Sequence, residues 1–235
     1  MRQRKIITAL FLSIAVLLLV VDPVWAAPKA KYDETYDFSK IERVFITEPL
    51  FIQDSLEEKS KEELTKLFFE HVKLKRLQIL TYKDVALSIQ ADKGIALDEL
   101  EKTDPEQALQ MLYKYLPNYA DAIIYTTIRN FKDGSVYVEA STYTETKYEK
   151  YHAYDSKGNL KEYEYPVTRT YTIPAHYKST FSVRVDFRLV EVKTQKDILW
   201  QSDYRYREYI KKKDSVNMYK RILRRFFSQV NKRLD

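Results

Sequence analysis

Phe181-Ser182-Val183-Arg184-Val185-Asp186-Phe187-Arg188-Leu189 has the cleanest two-residue period in the chain, apolar at every odd position and polar or charged at every even one. Successive side chains of a strand point to opposite faces, so the stretch predicts a strand with one face on a core and the other in water. Lys193 to Asp197 then reads as a turn. Beyond it Ile198, Trp200 and Tyr204 alternate with Gln201, Asp203 and Arg205, which predicts a partner strand. Working outward, Ala122 to Phe131 alternates around Ile124, Thr126 and Ile128. Lys132-Asp133-Gly134-Ser135 has turn chemistry before Val136 and Val138, so a hairpin is expected there. Further upstream, Val44-Phe45-Ile46 is a short apolar run closed by Pro49, as a buried strand would be, and Leu77 to Tyr82 predicts another short strand.

Helical spacing brackets these strands. Leu64, Leu67, Phe68 and Val72 recur every three to four residues, and a small helix is expected from Asp84 through Ile89 to an end near Gly94. Asp104-Pro105-Glu106-Gln107 supplies a capping aspartate and a proline at the first helical position, ahead of Ala108, Leu109, Leu112 and Leu116. At the other end Val216, Tyr219, Leu223, Phe226, Val230 and Leu234 form one stripe, with Asp214 available as cap. Helices early and late around a run of strands predict an α+β fold: a mainly antiparallel sheet with helices packed on one face, plus a long hairpin.

The chain has 235 residues, 45% of them apolar and 31% charged, which describes a globular body and excludes a disordered or membrane-embedded one. Arg2, Arg4 and Lys5 precede an apolar run from Ile6 to Val21, and Val24-Trp25-Ala26 fits a signal-peptidase site. Residues 1–26 are expected to be a signal peptide cleaved after Ala26, with Ala27 as second choice and an uncleaved anchor as the competing reading. Residues 27–37 are polar without period and read as a flexible tether. Residues 38–235 read as a single domain, since one domain typically takes ~100–200 residues. Export to a bacterial periplasm or cell surface follows. Cleavage removes three basic residues and Asp22, taking the formal charge from +6 to +4, a mild excess compatible with anionic lipid or cell-wall polymer. Export leaves nucleic acid as the least fitting partner.

Several chemistries are excluded outright. There is no cysteine, hence no thiol nucleophile, disulfide, thiolate zinc site or lipidated N-terminal cysteine. The three glycines, Gly94, Gly134 and Gly158, are too scattered for a dinucleotide or phosphate loop. No GxSxG or HExxH occurs. His71, His152 and His176 are widely spread, although His152 and His176 could face each other across the hairpin with Asp155 nearby. Glu57, Glu58, Glu62, Glu63, Asp98, Glu99 and Glu101 read as solvated charges on helix starts and polar loops. No catalytic residue, metal ligand or cofactor is assigned.

The oddest feature is aromatic. Nine of the twenty tyrosines fall between Tyr137 and Tyr177, interleaved with glutamates and lysines, and Asp155-Ser156-Lys157-Gly158-Asn159 reads as a tip turn. A hairpin over 135–177 is expected, with arms near 135–154 and 160–175. Tyr143, Tyr148, Tyr151, Tyr154, Tyr163, Tyr165 and Tyr171 are its candidate binding residues, because tyrosine offers rigid amphipathic area at small entropic cost. The alternative is that tyrosine serves there as an ordinary strand residue. A second candidate is the C-terminal helix, whose Lys220, Arg221, Arg224 and Arg225 flank the apolar stripe and could rest on an anionic membrane.

Asp37-Phe38-Ser39-Lys40-Ile41, Ala120-Asp121-Ala122-Ile123-Ile124, Val192-Lys193-Thr194 leading to Ile198-Leu199-Trp200, and the closing amphipathic helix together resemble bacterial envelope proteins of the CsgG-like and TolB-N-terminal-like group. The resemblance implies a non-catalytic domain serving assembly or transport at the envelope. The chain departs from that group in lacking its lipidated cysteine and in adding the tyrosine hairpin, and no functional residue carries over. An exported binding or assembly protein that meets an envelope protein or glycan through its sheet edge or hairpin is therefore expected. The alternatives are a cell-wall glycan or peptide hydrolase using a carboxylate pair, and a membrane-surface protein led by its last helix. Partner identity and oligomeric state stay open.

Overall fold

The computed structural model describes residues 28–53, 55–209 and 215–234. The expected leader, its cleavage site at Ala26 and the expected cap Asp214 lie outside these residues. The elements run β1 (Lys29–Tyr32), a 3-10 turn (Phe38–Lys40), β2 (Arg43–Ile46), β3 (Leu50–Phe51), α1 (Glu58–His71), β4 (Gln78–Leu80), α2 (Tyr82–Lys93), α3 (Leu97–Thr103) and α4 (Pro105–Tyr115). After a second 3-10 turn (Leu116–Asn118) come β5 (Ala122–Val138), β6 (Ser141–Tyr154), β7 (Leu160–Ile173), β8 (His176–Glu191), β9 (Asp197–Tyr209) and α5 (Ser215–Leu234). The fold is α+β.

The chain divides into two compact units, the second of which contains the expected 135–177 hairpin. A core unit holds the described parts of Met1–Asp133, Phe181–Arg207 and Lys213–Asp235, and a ribbon unit holds those of Gly134–Thr180 and Glu208–Lys212. The main sheet has the order β1-β9-β8-β5-β2-β4, with β3 also on β5. Its two halves differ in sense. β1 is antiparallel to β9, and the five-residue connection between β8 and β9 is too short for a parallel crossover. Arg129 of β5 bonds Asp186 of β8 and Asn130 bonds Ser182, so a step forward in β5 is a step back in β8. β2 pairs parallel with both β4 and β5, and β3 with β5, which makes the sheet mixed.

That parallel half explains why helices cover both faces, not the one expected. The chain crosses from β2 outward to β4 through α1, then reverses over β2 to reach β5 through α2, α3 and α4. Crossovers keep one hand, so reversing direction puts the second set of helices on the opposite face. Val44, Phe45 and Ile46 are accordingly all buried. Phe45, Ile123 and Leu80 pack under Val85, Ile89, Leu97 and Leu112 of α2 to α4 and under Leu116 of the 3-10 turn that follows. α1 and α5 close the other side, where Phe68 meets Phe227 at 6.0 Å and Phe226 stacks on Phe187 of β8 at 4.0 Å. Each such side chain contributes about 1.5–3 kcal/mol on burial.

Local chemistry fixes the helix ends. Asp104 caps α4 by accepting from the Gln107 N–H at 2.9 Å, with Pro105 at the first position as expected. α2 starts earlier than expected, at Tyr82, where the Asp84 carboxylate accepts from the Thr81 N–H and hydroxyl; it ends at left-handed Gly94. α3 is an additional helix without a side-chain cap. Asp121, from the Ala120-Asp121-Ala122 stretch, ties β2 to the start of β5 by accepting from the N–H groups of Glu42 and Arg43 and from the Arg43 guanidinium. Burial opposes its ionisation, but those three donors prevail and hold its carboxyl below the usual range.

Four further expectations change. Lys29–Tyr32, read as tether, is strand β1: β9 offers it a free edge, the Tyr32 ring lies 3.5 Å under the Arg233 guanidinium, and Asp33 pairs with Lys196. Sequence period cannot show a strand whose side chains are all exposed. β5 runs unbroken through Lys132–Ser135, because Gly134 serves close approach instead of a turn: a Cβ there would sit 3.0 Å from the Thr180 hydroxyl of β8. On β8 the expected wet face is interrupted by buried Asp186, held by the Ser202 hydroxyl at 2.6 Å and by Arg129. On β9 the polar set is also inside: Gln201 and Asp203 are fully buried, the latter facing Arg205 at 3.2 Å and Arg225 of α5 at 3.4 Å.

Candidate binding surface

The ribbon unit is organised by one turn. At Asp155–Asn159 the Asp155 N–H donates to the Asn159 carbonyl, the Gly158 N–H donates to the Asp155 carbonyl, and Gly158 takes a left-handed φ of 83°. The Asp155 carboxylate accepts from the N–H groups of Asn159 and Lys157, which hold it below its ordinary range. This is the tip the sequence indicated. It sets β6 against β7 antiparallel from Ser141↔Ile173 to Tyr154↔Leu160 without a slip. The arms are interrupted at Glu139-Ala140 and Pro174-Ala175, so β6 and β7 form a two-stranded sheet of their own. Pro174 has no N–H to continue a ladder.

Alternation along this register sorts the candidate tyrosines into two groups. Tyr143, Tyr151, Tyr163, Tyr165 and Tyr171 are odd-numbered and share one face; Tyr148 and Tyr154 are on the other. On the odd face Tyr143 stacks on Tyr171 at 5.2 Å, and Tyr151 stacks on Tyr163 at 5.4 Å while meeting Tyr165 edge-on at 5.5 Å. Such pairs are worth about 0.5–1.5 kcal/mol beyond burial. Between them Glu149 binds Arg169 at 2.6 Å and Glu145 meets Lys147 at 3.3 Å. Val167 and Ile173 add apolar area to the same face. Nothing covers it among the described residues: its tyrosines range from 36% exposed at Tyr171 to 52% at Tyr143. The even face carries threonines at 142, 144, 146, 168, 170 and 172, a polar ladder in which Thr146 bonds Thr168 at 3.0 Å. Threonine at every second position on both arms is the signal in the sequence that separates this face from the aromatic one.

The other candidates disperse. His152 lies opposite Glu162, 3.6 Å from its carboxylate, and not opposite His176, whose ring bonds the Pro174 carbonyl. His71 bonds the Leu67 carbonyl within α1. Among the described residues no three histidine, aspartate or glutamate side chains converge as metal ligands. The apolar stripe of α5 is in the core: Met218, Tyr219, Ile222, Leu223, Phe226, Phe227 and Val230 are buried, which leaves no apolar face to enter a bilayer. Arg225 turns inward to Asp203 and Lys220 is half-buried, while Arg221 and Arg224 are exposed. Among the described residues no helix is long and apolar enough to cross a membrane.

The core unit has a cleft of about 670 Å³ at the carboxyl end of β2, bordered by Thr47, Glu48, Tyr82, Glu101, Leu109 and Tyr113 among others. The end of a parallel strand is where ligands gather in open sheets. Burial and the Glu101 carboxylate push the Tyr82 phenol up to about 12, and Tyr125 shares a hydroxyl contact of 3.2 Å with Tyr113. Of the seven carboxylates singled out in the sequence only Glu101 borders this cleft, and all seven are exposed.

No protein-family model matches the chain, and no curated protein matches it. Among solved structures it is similar to the PelC dodecamer protein of Paraburkholderia phytofirmans, at 7% identity over 87% of this chain and 97% of that one, with a TM-score of 0.39. Lipoprotein GNA1162 of Neisseria meningitidis matches at 11% identity over 81% and 99%, TM-score 0.35. A DUF4136 family protein of Bacteroides thetaiotaomicron matches at 12% over 88% and 96%, TM-score 0.38. None of the three is a CsgG or TolB protein, and at these scores the functional reading rests on this chain's own residues.

Proposed function

We propose that the protein is an exported, non-catalytic component of a bacterial cell envelope that binds another envelope component, a protein or a glycan, through the odd-numbered face of β6 and β7. One observation carries the reading: five tyrosines share a face of a ribbon that has no core behind it and nothing over it among the described residues. An isolated two-stranded ribbon is marginal in water, and a strand needing only to persist would not expose aromatic area on this scale. Tyrosine is suited to contact because it buries a large rigid surface and keeps a hydroxyl for hydrogen bonding. The leader and the resemblance to envelope proteins support the location.

The test is photo-crosslinking in the native cell. A crosslinking residue replaces Tyr151 or Tyr163 on the odd face, Tyr148 or Tyr154 on the even face, or Glu99 on α3 as a core-unit control. Specific adducts from the odd face alone are expected. Equal labelling from both faces, or no adduct from an exported and folded protein, would refute the proposal.

A further inference from the structure

The two outer edges of the ribbon are not equivalent. Pro166 lies opposite Tyr148 and has no N–H, so that pair cannot exchange hydrogen bonds inside the ribbon. Bonded and non-bonded pairs alternate in an antiparallel ladder, so odd-numbered pairs bond inward and even-numbered residues point their N–H and C=O outward. The tip agrees, since its bonded pair is Asp155 with Asn159. On β7 the outward row is therefore broken in the middle by Pro166, a common way of guarding an edge. On β6 the outward row runs unbroken from Thr142 to Tyr154, and no strand pairs with it among the described residues.

We infer that this edge of β6 is an interaction site for a second copy of the same chain, pairing antiparallel through β6 about a two-fold axis at Tyr148. Outward groups must meet outward groups, so even residues pair with even ones and the axis falls on a single residue. Only two registers use essentially the whole strand, one centred on Lys147 and one on Tyr148. The first sets Lys147 against Lys147 and Glu145 against Glu149, both repulsive. The second sets Lys147 of each copy against Glu149 of the other, twice, and opposes no like charges. Charge therefore selects self-pairing at Tyr148. A two-fold axis through the sheet keeps the odd faces on one side, so pairing would also double the tyrosine face, whatever that face binds.

The test uses the full mature chain in sedimentation velocity across a series from micromolar to hundreds of micromolar. Wild type should dimerise with rising concentration. K147E and E149K, each self-repelling in this register, should weaken the dimer by roughly tenfold or more. Mixing K147E with E149K should restore it, because positions 147 and 149 then carry two negative charges on one copy and two positive charges on the other. A wild type that stays monomeric throughout would overturn the inference. So would single variants that associate like wild type, or a mixture no stronger than either variant alone.

Discussion

Tyr219 and Tyr171 are the same residue in opposite circumstances. Tyr219 sits on α5 with no exposed area, edge-on to Phe131 of β5, and burial pushes its phenol up. Tyr171 sits on β7, stacked on Tyr143 at 5.2 Å, and is 36% exposed. The contrast extends to their surroundings. In the core unit both faces of β2 are covered and aromatic rings interlock across layers; in the ribbon unit the rings of β6 and β7 meet across the strand pair, with no layer packed over them among the described residues. Burial makes the first set of aromatics structural, and its absence makes the second set available.

The difference is open to attack by mutation, most severely in the core. Phe226→Ala removes a ring stacked at 4.0 Å on Phe187, and should cost about 3–5 kcal/mol in denaturant unfolding of the core unit. A loss under about 1 kcal/mol would mean that the interior repacks as freely as a surface. Asp121→Asn should cost about 1–2 kcal/mol, because the strand-tying N–H groups lose a charged acceptor. Its pH dependence has a definite sign. The folded carboxyl is held below the ordinary range, so its contribution is full above the unfolded value and fades as pH falls through the depressed one. Unfolding midpoints measured against pH should therefore lose part of their acid slope in Asp121→Asn.

In the ribbon the effects should be small and local. Tyr151→Ala with Tyr163→Ala removes one stacked pair, worth about 0.5–1.5 kcal/mol, and should speed amide exchange in β6 and β7 while leaving the core midpoint in place. A matching drop in the core midpoint would erase the distinction between the units.

Parts of this division are legible in the sequence. Phe181 to Leu189 alternates as a strand must, and Val44-Phe45-Ile46, apolar three times running, records a strand covered on both faces. The layering is less accessible, because helices on both faces follow from the reversal at β2, a matter of strand order that local periodicity does not encode. β1 escapes for a related reason: its partner β9 supplies the reason to be a strand. Asp186, Gln201 and Asp203 mislead as polar markers of a wet face, since Arg129 and Ser202 reach Asp186 from the neighbouring strands, and Arg225 of α5 joins Arg205 of the same strand on Asp203. For the tyrosines, parity already separates Tyr148 and Tyr154 from Tyr143 and Tyr151 within one arm. Joining the odd residues of the two arms requires the register, which depends on the geometry of the Asp155–Asn159 turn.

The most direct measurement replaces Tyr143, Tyr151, Tyr163, Tyr165 and Tyr171 together by serine in the otherwise intact chain. The core midpoint is then followed alongside retention on the isolated envelope fraction, with the pair Tyr148→Ser and Tyr154→Ser as control. The account expects an unchanged core midpoint, lost retention, and a control that behaves as wild type. Retention that survives loss of all five odd-face rings, with the core intact, would contradict it.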